Sequence, residues 1–551
     1  METGEGARPD VVTAAVEAWL ARHPVEATYL GDHRFDDQLD DPSAEAAARR
    51  ASELRAQLDA MQSLTPDGPD RRVDLAVLGT ELRAELLQLD RLDEAAWNPM
   101  LHNPGLALYL LAARPFAAAA ERYASLRARL AAVPDYLAAA RTRLAGMSRV
   151  HLETAITQLD GTLALLDTLV PDLAAQAGES DDVAAHTQPA RAALQDHRTW
   201  LADRRDSALR DPRLGTALFA AKLELALDTA FDPAELLDRA EADLRRVTAE
   251  IVAEAGRLAE EGSPDAGTVH RVLADLAADA PTDATILQLC RDALAETTAF
   301  VRERDLVTVF DDPIDVVEMP EIDRGVAVAY CRPPGPLEQV TLATELAVSP
   351  APADWPAERV ASFYREYNAH MLHNLVVHEA MPGHALQLMH SKRCAAAGPV
   401  RRMFWSGSFV EGWAVYSEEL LAGHGYRGGA KGSALRMQQL KMQLRMIINT
   451  ILDIRFHCAG LGGRPDLDEA AAMALMTEQG FQEEGEAAGK WRRVQLTSTQ
   501  LCTYYVGYCE VKDLADDVRA ARPQWSAREV HDALLAHGSP PARHLRTLLL
   551  D

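Results

Sequence analysis

The 551-residue chain lacks any long uninterrupted apolar run, and its basic residues are far fewer than its acidic ones. No segment approaches the roughly 18 apolar residues that a membrane-spanning helix requires. With 56 Lys and Arg against 83 Asp and Glu, the formal net charge is −27. A field of that sign repels phosphate backbones and anionic lipid. We therefore expect neither nucleic acid nor a membrane as a partner.

The N-terminus lacks the features of a secretory signal. The segment METGEGARPDVVTAAVEAWL has two glutamates before its first apolar run, with no basic start and no small-residue cleavage site after an apolar core. The chain also has few cysteines, and they include no C-x-x-C pair and no regular framework, which favours free thiols in a reducing compartment. They are Cys290, Cys331, Cys394, Cys458, Cys502 and Cys509. These absences together predict a cytoplasmic protein.

What is present describes a globular protein with a core, since 48% of the residues are hydrophobic and 25% are charged. Through the first 300 residues, apolar side chains recur at spacings of three and four, as in LLDRAEADLRRVTAEIVAEAGRLAEEG (236–262). This spacing predicts amphipathic helices with solvated charged faces. The segments TPDGPDRR (65–72) and AGESDDVAAHTQP (177–189) predict loops between helices.

The pattern changes near residue 305, where DLVTVFDDPIDVVEMPEIDRGVAVAYCRPPG is rich in β-branched residues with Pro and Gly between them. We expect short strands in a small sheet over residues 305–348, followed by helices from about residue 355. The sequence therefore predicts a mainly α-helical protein. We expect an N-terminal helical region over residues 1–300 and a catalytic region over residues 301–551, joined in one continuous globular unit. A sheet edge beside a helical site would suit an extended substrate.

The segment VVHEAMPGHALQ (376–387) resembles the H-E-x-x-H motif of zinc proteases, but its histidines are six residues apart instead of four. On a regular helix, a spacing of six places two side chains roughly 240° apart, so His378 and His384 could not bind one ion. Pro382 interrupts the helix and Gly383 permits unusual backbone geometry. Such a break can return His384 to the side of His378, and we predict that both histidines bind a metal.

A third ligand is predicted in SFVEGWAVYSEEL (408–420). Hydrolytic zinc sites usually have three protein ligands and one open position. Glu411 and Glu418 are seven residues apart and share a helix face within an apolar and aromatic run. We predict that Glu411 binds the metal and that Glu418 orients a histidine through its second ring nitrogen.

Glu379 follows the first histidine directly, where it could act as the general base that takes a proton from the attacking water. The resulting oxyanion requires a hydrogen-bond donor. Candidate donors lie in KWRRVQLTSTQLCTYYVGYCEVKDL (490–514), where Tyr504, Tyr505 and Tyr508 cluster around Gly507. Composition does not select among the three tyrosines.

These motifs together resemble the bacterial proteins with domain of unknown function 885 (DUF885), which are regarded as zinc metallopeptidases of the H-E-x-x-x-x-H type. The likeness covers most of the chain. Its most specific segments are EYNAHMLHNLVVHEAMPGHALQ (366–387) and FVEGWAVYSEEL (409–420), and looser ones are TYLGDHRFDDQLDD (28–41), STQLCTYYVG (498–507) and HDALLAHGSPPARHL (531–545). The resemblance implies metal binding by His378, His384 and Glu411, with Glu379 as the base.

The resemblance also implies roles near the C-terminus. It favours Tyr504 as the transition-state donor, and it implies substrate or oxyanion contacts for His457 and Arg492. From the tyrosine cluster itself we predict that Tyr505 and Tyr508 contact the substrate. The chain departs from the family at 498–505, where STQ replaces P-G-Q and TYY replaces S-Y-K, and it lacks a Trp expected soon after His457. Because the metal-binding motifs match the family and the segment at 498–505 does not, we expect the mechanism to be shared more than the substrate.

We therefore expect a zincin-like helical hydrolase whose helices enclose a deep cleft. It would use one Zn²⁺, which suits two imidazoles and a carboxylate although other divalent metals can occupy such sites. The expected reaction is hydrolysis of an amide bond in a short peptide or peptide-like molecule. One alternative is hydrolysis of a non-peptide C–N bond in a specialised metabolite. Another is a helical binding protein with a vestigial metal site. The oligomeric state is left open.

Overall fold

The protein is described by a computed structural model that covers residues 10–320, 328–352, 355–394 and 398–550. Most of these residues are helical, and the helices that precede the sheet are α1 (Val11–Arg22), α2 (Pro24–Leu30), α3 (Ala44–Gln62), α4 (Gly68–Leu87), α5 (Gly105–Ala113), α6 (Ala119–Arg143), α7 (Arg149–Asp167), α8 (Leu169–Ala177), α9 (Val183–Ala202), α10 (Thr216–Leu227), α11 (Pro233–Ala259), α12 (Ala266–Leu276) and α13 (Ile286–Glu303).

The sheet has three strands, β1 (Ile314–Glu318), β2 (Ala329–Arg332) and β3 (Thr344–Val348), in the spatial order β1-β3-β2. β1 runs parallel to β3, with Ile314 opposite Thr344, and β2 runs antiparallel to β3, with Ala329 opposite Val348. Along the described chain β2 therefore pairs with β3 alone and forms one edge of the sheet.

Helices return after the sheet. They are α14 (Ala357–Glu366), α15 (Ala369–Glu379), α16 (His384–Arg393), α17 (Pro399–Met403), α18 (Gly407–Gly423), α19 (Gly429–His457), α20 (Glu469–Ala474), α21 (Glu484–Leu496), α22 (Cys502–Ala521), α23 (Ala527–Leu535) and α24 (Ala542–Leu550). The prediction of a mainly helical fold with one small sheet between residues 305 and 348 is confirmed. Among the described residues, no helix is long and apolar enough to cross a membrane.

Helix α11 shows how the sequence specifies these elements. Its N-cap Asp232 accepts hydrogen bonds from the backbone N–H groups of Ala234 and Glu235, and Pro233 occupies the first turn, where a missing N–H costs no helical bond. Its buried side chains recur at spacings of three and four, as the apolar pattern predicts, and they include Leu237, Ala240, Leu244, Val247 and Ile251.

Both loops between helices are shorter than the segments predicted to form them. α4 begins at Gly68, inside the segment predicted as a loop over 65–72, because a proline at the first helical positions is compatible with the helix. The loop predicted over 177–189 is wrong over most of its length, since only residues 178–182 lie between α8 and α9. Pro189 lies inside α9, where the buried side chains Thr187, Ala190 and Leu194 maintain the helical packing.

The chain divides into two compact units. The first comprises residues up to Asp211 together with Pro334–Leu342 and Gly398–Phe404. Polar contacts bind the two later segments into this unit: the ring Nε2 of His33 lies 3.0 Å from Glu338, and the fully buried Arg401 donates to Asp74 at 2.7 Å.

The second unit comprises Pro212–Pro333, Ala343–Ala397 and Trp405–Asp551, so that α10 to α13 belong with the sheet and with the helices that follow it. The 29-residue α19 is buried on nearly every face from Ala434 onward, which is typical of a central core helix. α11, α15, α18 and α22 all pack against α19. All residues of the predicted metal site lie within this second unit.

Candidate metal centre

The break between the two histidines forms as the sequence requires. α15 begins with Asn368, whose side chain accepts hydrogen bonds from the N–H groups of His370 and Met371, and the helix ends at Glu379. α16 then begins at His384. At Gly383 a Cβ atom would lie 1.8 Å from the carbonyl oxygen of His378, so only glycine fits beside the end of α15. This close return of the backbone places His384 next to His378.

The two imidazoles and Glu411 converge on one point. The Nε2 atoms of His378 and His384 lie 3.5 and 3.4 Å from the same carboxylate oxygen, Oε2 of Glu411. The two rings are nearly perpendicular, with centroids 4.7 Å apart. The possible ligand atoms of the three residues all lie within 4.8 Å of one another. A spacing of six residues therefore brings both imidazoles to one carboxylate.

A second, fully buried carboxylate orients His378. Oε1 of Glu418 lies 2.7 Å from Nδ1 of His378, and Oε2 accepts a hydrogen bond of 2.6 Å from the side-chain amide of Asn374. Because Glu418 binds Nδ1 of His378, Nε2 is the ring nitrogen that faces Glu411 and could bind a metal ion. Asn374 lies one helical turn before His378, which lets both side chains reach the same carboxylate.

A close helix crossing places Glu411. A Cβ atom on Gly412 would lie 2.2 Å from the carbonyl carbon of Gly507, and one on Gly507 would lie 1.8 Å from the carbonyl oxygen of Ser408. The two glycines let α18 and α22 touch backbone to backbone. Trp413, next to this crossing, donates its indole N–H to the carbonyl of Pro382 at 2.8 Å. α18 is thus joined both to α22 and to the loop between the histidines.

The electrostatics of the group follow from burial and opposite charge. Burial alone would raise the pKa of Glu411, but His378 and His384 outweigh it and leave that pKa far below its usual range. Burial would lower the pKa of His378, but the nearby carboxylates of Glu411 and Glu418 instead raise it well above the usual value. The carboxylates therefore favour positive charge between the side chains of this group.

The donor set suits a tetrahedral divalent ion. Two ligand atoms about 2.0–2.1 Å from a tetrahedral zinc ion are roughly 3.3–3.4 Å apart, close to the 3.4 and 3.5 Å measured from Glu411 to the two imidazoles. Oε2 of Glu411 is buried and has no hydrogen-bond partner of good geometry among the described residues. A buried carboxylate oxygen without such a partner, facing two imidazole nitrogens, has the chemistry of a metal ligand.

Glu379 lies beside this group at the end of α15. Its Oε2 accepts a 3.1 Å hydrogen bond from the backbone N–H of Cys331 in β2, so the sheet fixes the carboxylate from outside the helix. Burial raises the pKa of Glu379 against the opposing charges of His378 and His384. A buried carboxyl group with a raised pKa is suited to accept and return a proton.

Tyr504 lies close enough to Glu411 for the charge of that carboxylate to affect its pKa. Its hydroxyl oxygen accepts hydrogen bonds from Nη2 of Arg493 at 3.3 Å and from Nε2 of Gln500 at 3.2 Å. Arg493 also donates to Oε1 of Gln500 at 2.8 Å, which fixes the orientation of that amide. Since two donors occupy the hydroxyl oxygen, its own proton is left to donate elsewhere. Burial raises the pKa of Tyr504, and the charge of Glu411 adds to that effect.

The other two tyrosines are engaged away from this group. The hydroxyl of Tyr505 donates to Asp243 of α11 at 2.6 Å, and the hydroxyl of Tyr508 donates to Glu419. Both side chains are buried, and the acidic partners add to burial in raising the pKa of each tyrosine. These contacts join α22 to its neighbouring helices, and substrate contacts for Tyr505 and Tyr508 stay a prediction.

His457 is enclosed by backbone groups. Its Nε2 lies 2.8 and 3.1 Å from the carbonyl oxygens of Thr497 and Val494, and its Nδ1 is 3.4 Å from the N–H of Leu214. This pattern requires the neutral ring with the proton on Nε2, and burial lowers the pKa of His457 to about 4. The structure gives His457 contacts that connect the start of α10 to the end of α21, while the catalytic role implied by the resemblance stays a prediction.

Arg492 is exposed, whereas Arg493, one residue later, contacts Tyr504. Sequence reasoning missed Arg493 and Lys490. The buried side chains of α21 are Ala487, Lys490 and Val494, spaced by three and four residues. Arg493 lies three positions after Lys490 on this face and Arg492 lies away from it. That helical spacing was the signal available to distinguish the two arginines.

Comparison with known proteins identifies the family. The family model described as "Bacterial protein of unknown function (DUF885)" matches residues 24–549, and the chain belongs to this family. No curated protein matches the chain. The resemblance inferred from the motifs around His378 and Glu411 is therefore confirmed at the level of the family.

Two solved structures share the fold. One, from Shewanella oneidensis, is described as a "putative lipoprotein of unknown function"; it is 26% identical, with a TM-score of 0.81 over 98% of this chain and 99% of that chain. The other, a "putative lipoprotein" from Colwellia psychrerythraea, is 15% identical, with a TM-score of 0.80 over 98% of each chain, and shows the fold alone. The cytoplasmic location expected for the present chain stays a prediction.

Proposed function

We propose that this member of the DUF885 family is a metal-dependent hydrolase that cleaves an amide bond in a short peptide or peptide-like molecule. One observation carries the proposal: His378, His384 and Glu411 direct their ligand atoms at a common point, within 4.8 Å of one another. In support, Oε2 of Glu411 is buried between the two imidazoles and has no hydrogen-bond partner of good geometry in the described chain.

His378, His384 and Glu411 would hold the ion, and Zn²⁺ is the preferred candidate because two imidazoles and one carboxylate with an open position suit it. When bound, such an ion polarises a substrate carbonyl and makes water a stronger nucleophile near neutral pH. Glu418 would keep His378 in the tautomer whose Nε2 is free to bind, through the 2.7 Å contact at Nδ1.

Glu379 would act as the general base and then as the general acid. Its carboxylate would accept a proton from the attacking water and deliver it to the leaving amine, so that the carboxyl group ends the cycle unchanged. The 3.1 Å hydrogen bond from Cys331 fixes one carboxylate oxygen during these transfers. The raised pKa of Glu379, caused by burial, supports the acid step as well as the base step.

Tyr504 would donate a hydrogen bond to the oxyanion that forms on the carbonyl. Its oxygen already accepts from Arg493 and Gln500, so its proton is directed away from both side chains. The cationic Arg493 would also favour negative charge near the hydroxyl. Tyr504 is thereby oriented before substrate arrives, which is the condition for efficient oxyanion stabilisation.

The test uses the purified full chain, its metal content and a panel of short peptides. Stoichiometric zinc and turnover are expected for the wild type, and Glu379→Gln should retain the metal while losing turnover because it cannot accept the proton. Glu478→Gln, the same substitution at an exposed position, is the control and should keep both properties.

Three outcomes would overturn parts of the proposal. A fully metal-loaded protein that cleaves no peptide would favour the alternative of a non-peptide C–N hydrolase. Sub-stoichiometric zinc that does not respond to added metal would favour a binding protein with a vestigial site. Turnover by metal-loaded Glu379→Gln at the wild-type rate would remove Glu379 from the mechanism.

A further inference from the structure

The buried face of α21 carries an ammonium group without a partner. Lys490 is only 6% exposed. Its Nζ atom has no hydrogen-bond or ion-pair partner among the residues that the structure describes. The other buried lysine in this unit, Lys441, shows the usual arrangement, since its Nζ lies 2.8 Å from a carboxylate oxygen of Glu366. Lys490 therefore differs from its neighbour in having no counter-ion within bonding distance.

Two cations and two carboxylates act on Lys490. It interacts electrostatically with Arg445 and Arg493, which repel it, and with Glu486 and Glu411, which attract it. Glu486 is already engaged by an ion pair with Arg445 and by a 2.8 Å hydrogen bond from Tyr367. Glu411 is the carboxylate assigned to the metal. Once Glu411 binds an ion, no carboxylate in this set is free to balance Lys490.

An uncompensated ammonium in a buried position is unfavourable, and it is stabilised either by losing its proton or by gaining an anion. Burial, together with Arg445 and Arg493, lowers the pKa of Lys490. An incoming carboxylate would reverse this effect by supplying the missing negative charge. The same group could accept a second hydrogen bond from the guanidinium of Arg493, which already donates to Tyr504 at 3.3 Å.

We propose that Lys490 binds a carboxylate of the substrate, and that this carboxylate is the free terminus of the residue on the leaving-group side of the scissile amide. The inference rests on the proposed function, because the position of Lys490 near Glu411 and near the Tyr504–Arg493 pair has meaning only if chemistry occurs at the metal. The substrates would be peptides that lose their C-terminal residue and N-acyl amino acids.

The placement of the carboxylate next to the scissile bond follows from two connections. Lys490 lies on the buried face of α21 one helical turn before Arg493, which contacts the proposed oxyanion donor Tyr504 at 3.3 Å. The charge of Glu411, the proposed metal ligand, also acts on Lys490. A carboxylate held by Lys490 is therefore close to the reacting carbonyl. In a peptide with one more residue after the scissile amide, the terminal carboxylate would lie beyond Lys490. Cleavage should therefore remove single C-terminal residues.

The kinetic test compares matched substrates with the metal-loaded enzyme. N-acetyl-alanyl-alanine is compared with its C-terminal amide and with the peptide extended by one further alanine. The wild type should prefer the free acid over the amide on the order of 10- to 100-fold in kcat/KM, the contribution of a charged hydrogen bond. Lys490→Met should abolish this preference by raising KM for the acid, with little change for the amide. Lys431→Met, at an exposed lysine, is the control for loss of one positive charge.

A binding arm separates this inference from the proposed function. Metal-loaded Glu379→Gln, which should not turn over, is titrated calorimetrically with the same acid and amide. With Lys490 present, the acid should bind more tightly than the amide. In the double variant that also carries Lys490→Met, the acid should bind as weakly as the amide. If no peptide is hydrolysed by any variant but this difference persists, the carboxylate site is supported while the hydrolytic function fails.

Two results would overturn the inference. Equal kcat/KM for acid and amide in the wild type, with turnover intact, would show that no carboxylate is recognised. An equal loss for both substrates in Lys490→Met would assign Lys490 to the structure of the site and not to recognition. Since removal of a buried unpaired amine should not lower the free energy of unfolding, Lys490→Met is expected to fold, and urea denaturation checks this point.

Discussion

The backbone of Gly412 crosses that of Gly507 so closely that a Cβ atom on Gly412 would lie 2.2 Å from the carbonyl carbon of its partner. Gly412 directly follows Glu411, the proposed metal ligand, and Gly507 lies three residues after Tyr504. The contact between two side-chain-free positions therefore sets how the ligand on α18 lies relative to the tyrosine on α22. Two glycines that carry no reactive group thus set the spacing of the side chains that would perform the chemistry.

Replacing Gly507 by alanine should disturb this crossing, because the new Cβ would lie 1.8 Å from the carbonyl oxygen of Ser408. We expect Gly507→Ala to lower the free energy of unfolding by about 2–4 kcal/mol and to weaken metal binding. Urea denaturation and metal analysis measure both effects. Gly485→Ala in α21, where a Cβ atom would contact nothing within 4 Å, is the matched control. It should gain about 0.5–1 kcal/mol. Equal stability of the two variants would contradict the close crossing.

Glu418→Gln should lower metal affinity by about 10- to 100-fold, because the neutral amide no longer accepts the Nδ1–H of His378 as strongly. The measurement is competition for zinc against a chelator of known affinity. The adjacent Glu419→Gln changes a carboxylate that contacts Tyr508 and Lys512 instead, so its zinc affinity should match that of the wild type. The prediction fails if the two variants bind zinc equally well.

Tyr504→Phe should lower kcat by roughly 10²-fold, the loss expected on removal of an oxyanion donor, with a smaller effect on KM. Steady-state kinetics on a peptide substrate measures the change. Tyr505→Phe removes a hydroxyl that is bonded to Asp243, and it should lower stability more than rate. A fall in kcat for Tyr505→Phe with none for Tyr504→Phe would transfer the donor role to the neighbouring tyrosine.

Asp453, fully buried on α19, predicts a pH dependence of stability. Burial raises its pKa to about 7, although the backbone N–H of Thr499 and the thiol of Cys502 oppose the shift. The folded state then binds a proton that the unfolded state releases near pH 4, so stability falls as pH rises from about 4 to about 7.

Between pH 5 and pH 8 this carboxyl group should lower the free energy of unfolding by roughly 2–3 kcal/mol. Urea denaturation at both pH values, for the wild type and for Asp453→Asn, isolates the contribution. The asparagine variant cannot ionise and should lose less stability over this interval. An identical loss in both proteins would show that Asp453 titrates at an ordinary carboxyl pKa.

Much of the local structure was predictable because helices and the breaks between them are determined by residues close together in the sequence. The spacing of Leu237, Leu244 and Ile251 predicts the buried face of α11, and the contact of Gly383 with His378 explains why a glycine follows Pro382. The small sheet was recognisable from its β-branched residues. Loop lengths were less predictable, since Pro189 suggested a loop and lies inside α9, where neighbouring buried side chains outweigh its local preference.

The sequence by itself determined the family, the helical architecture, and the residue types that could bind a metal, because these depend on local spacing and chemical identity. Only the tertiary structure decided which of several similar residues meet. It showed that Arg493, and not the exposed Arg492, contacts Tyr504, and that Tyr505 and Tyr508 contact Asp243 and Glu419 instead. The reason is physical: contacts between α18, α21 and α22 depend on how their surfaces pack, and one residue turns a helix face by about 100°.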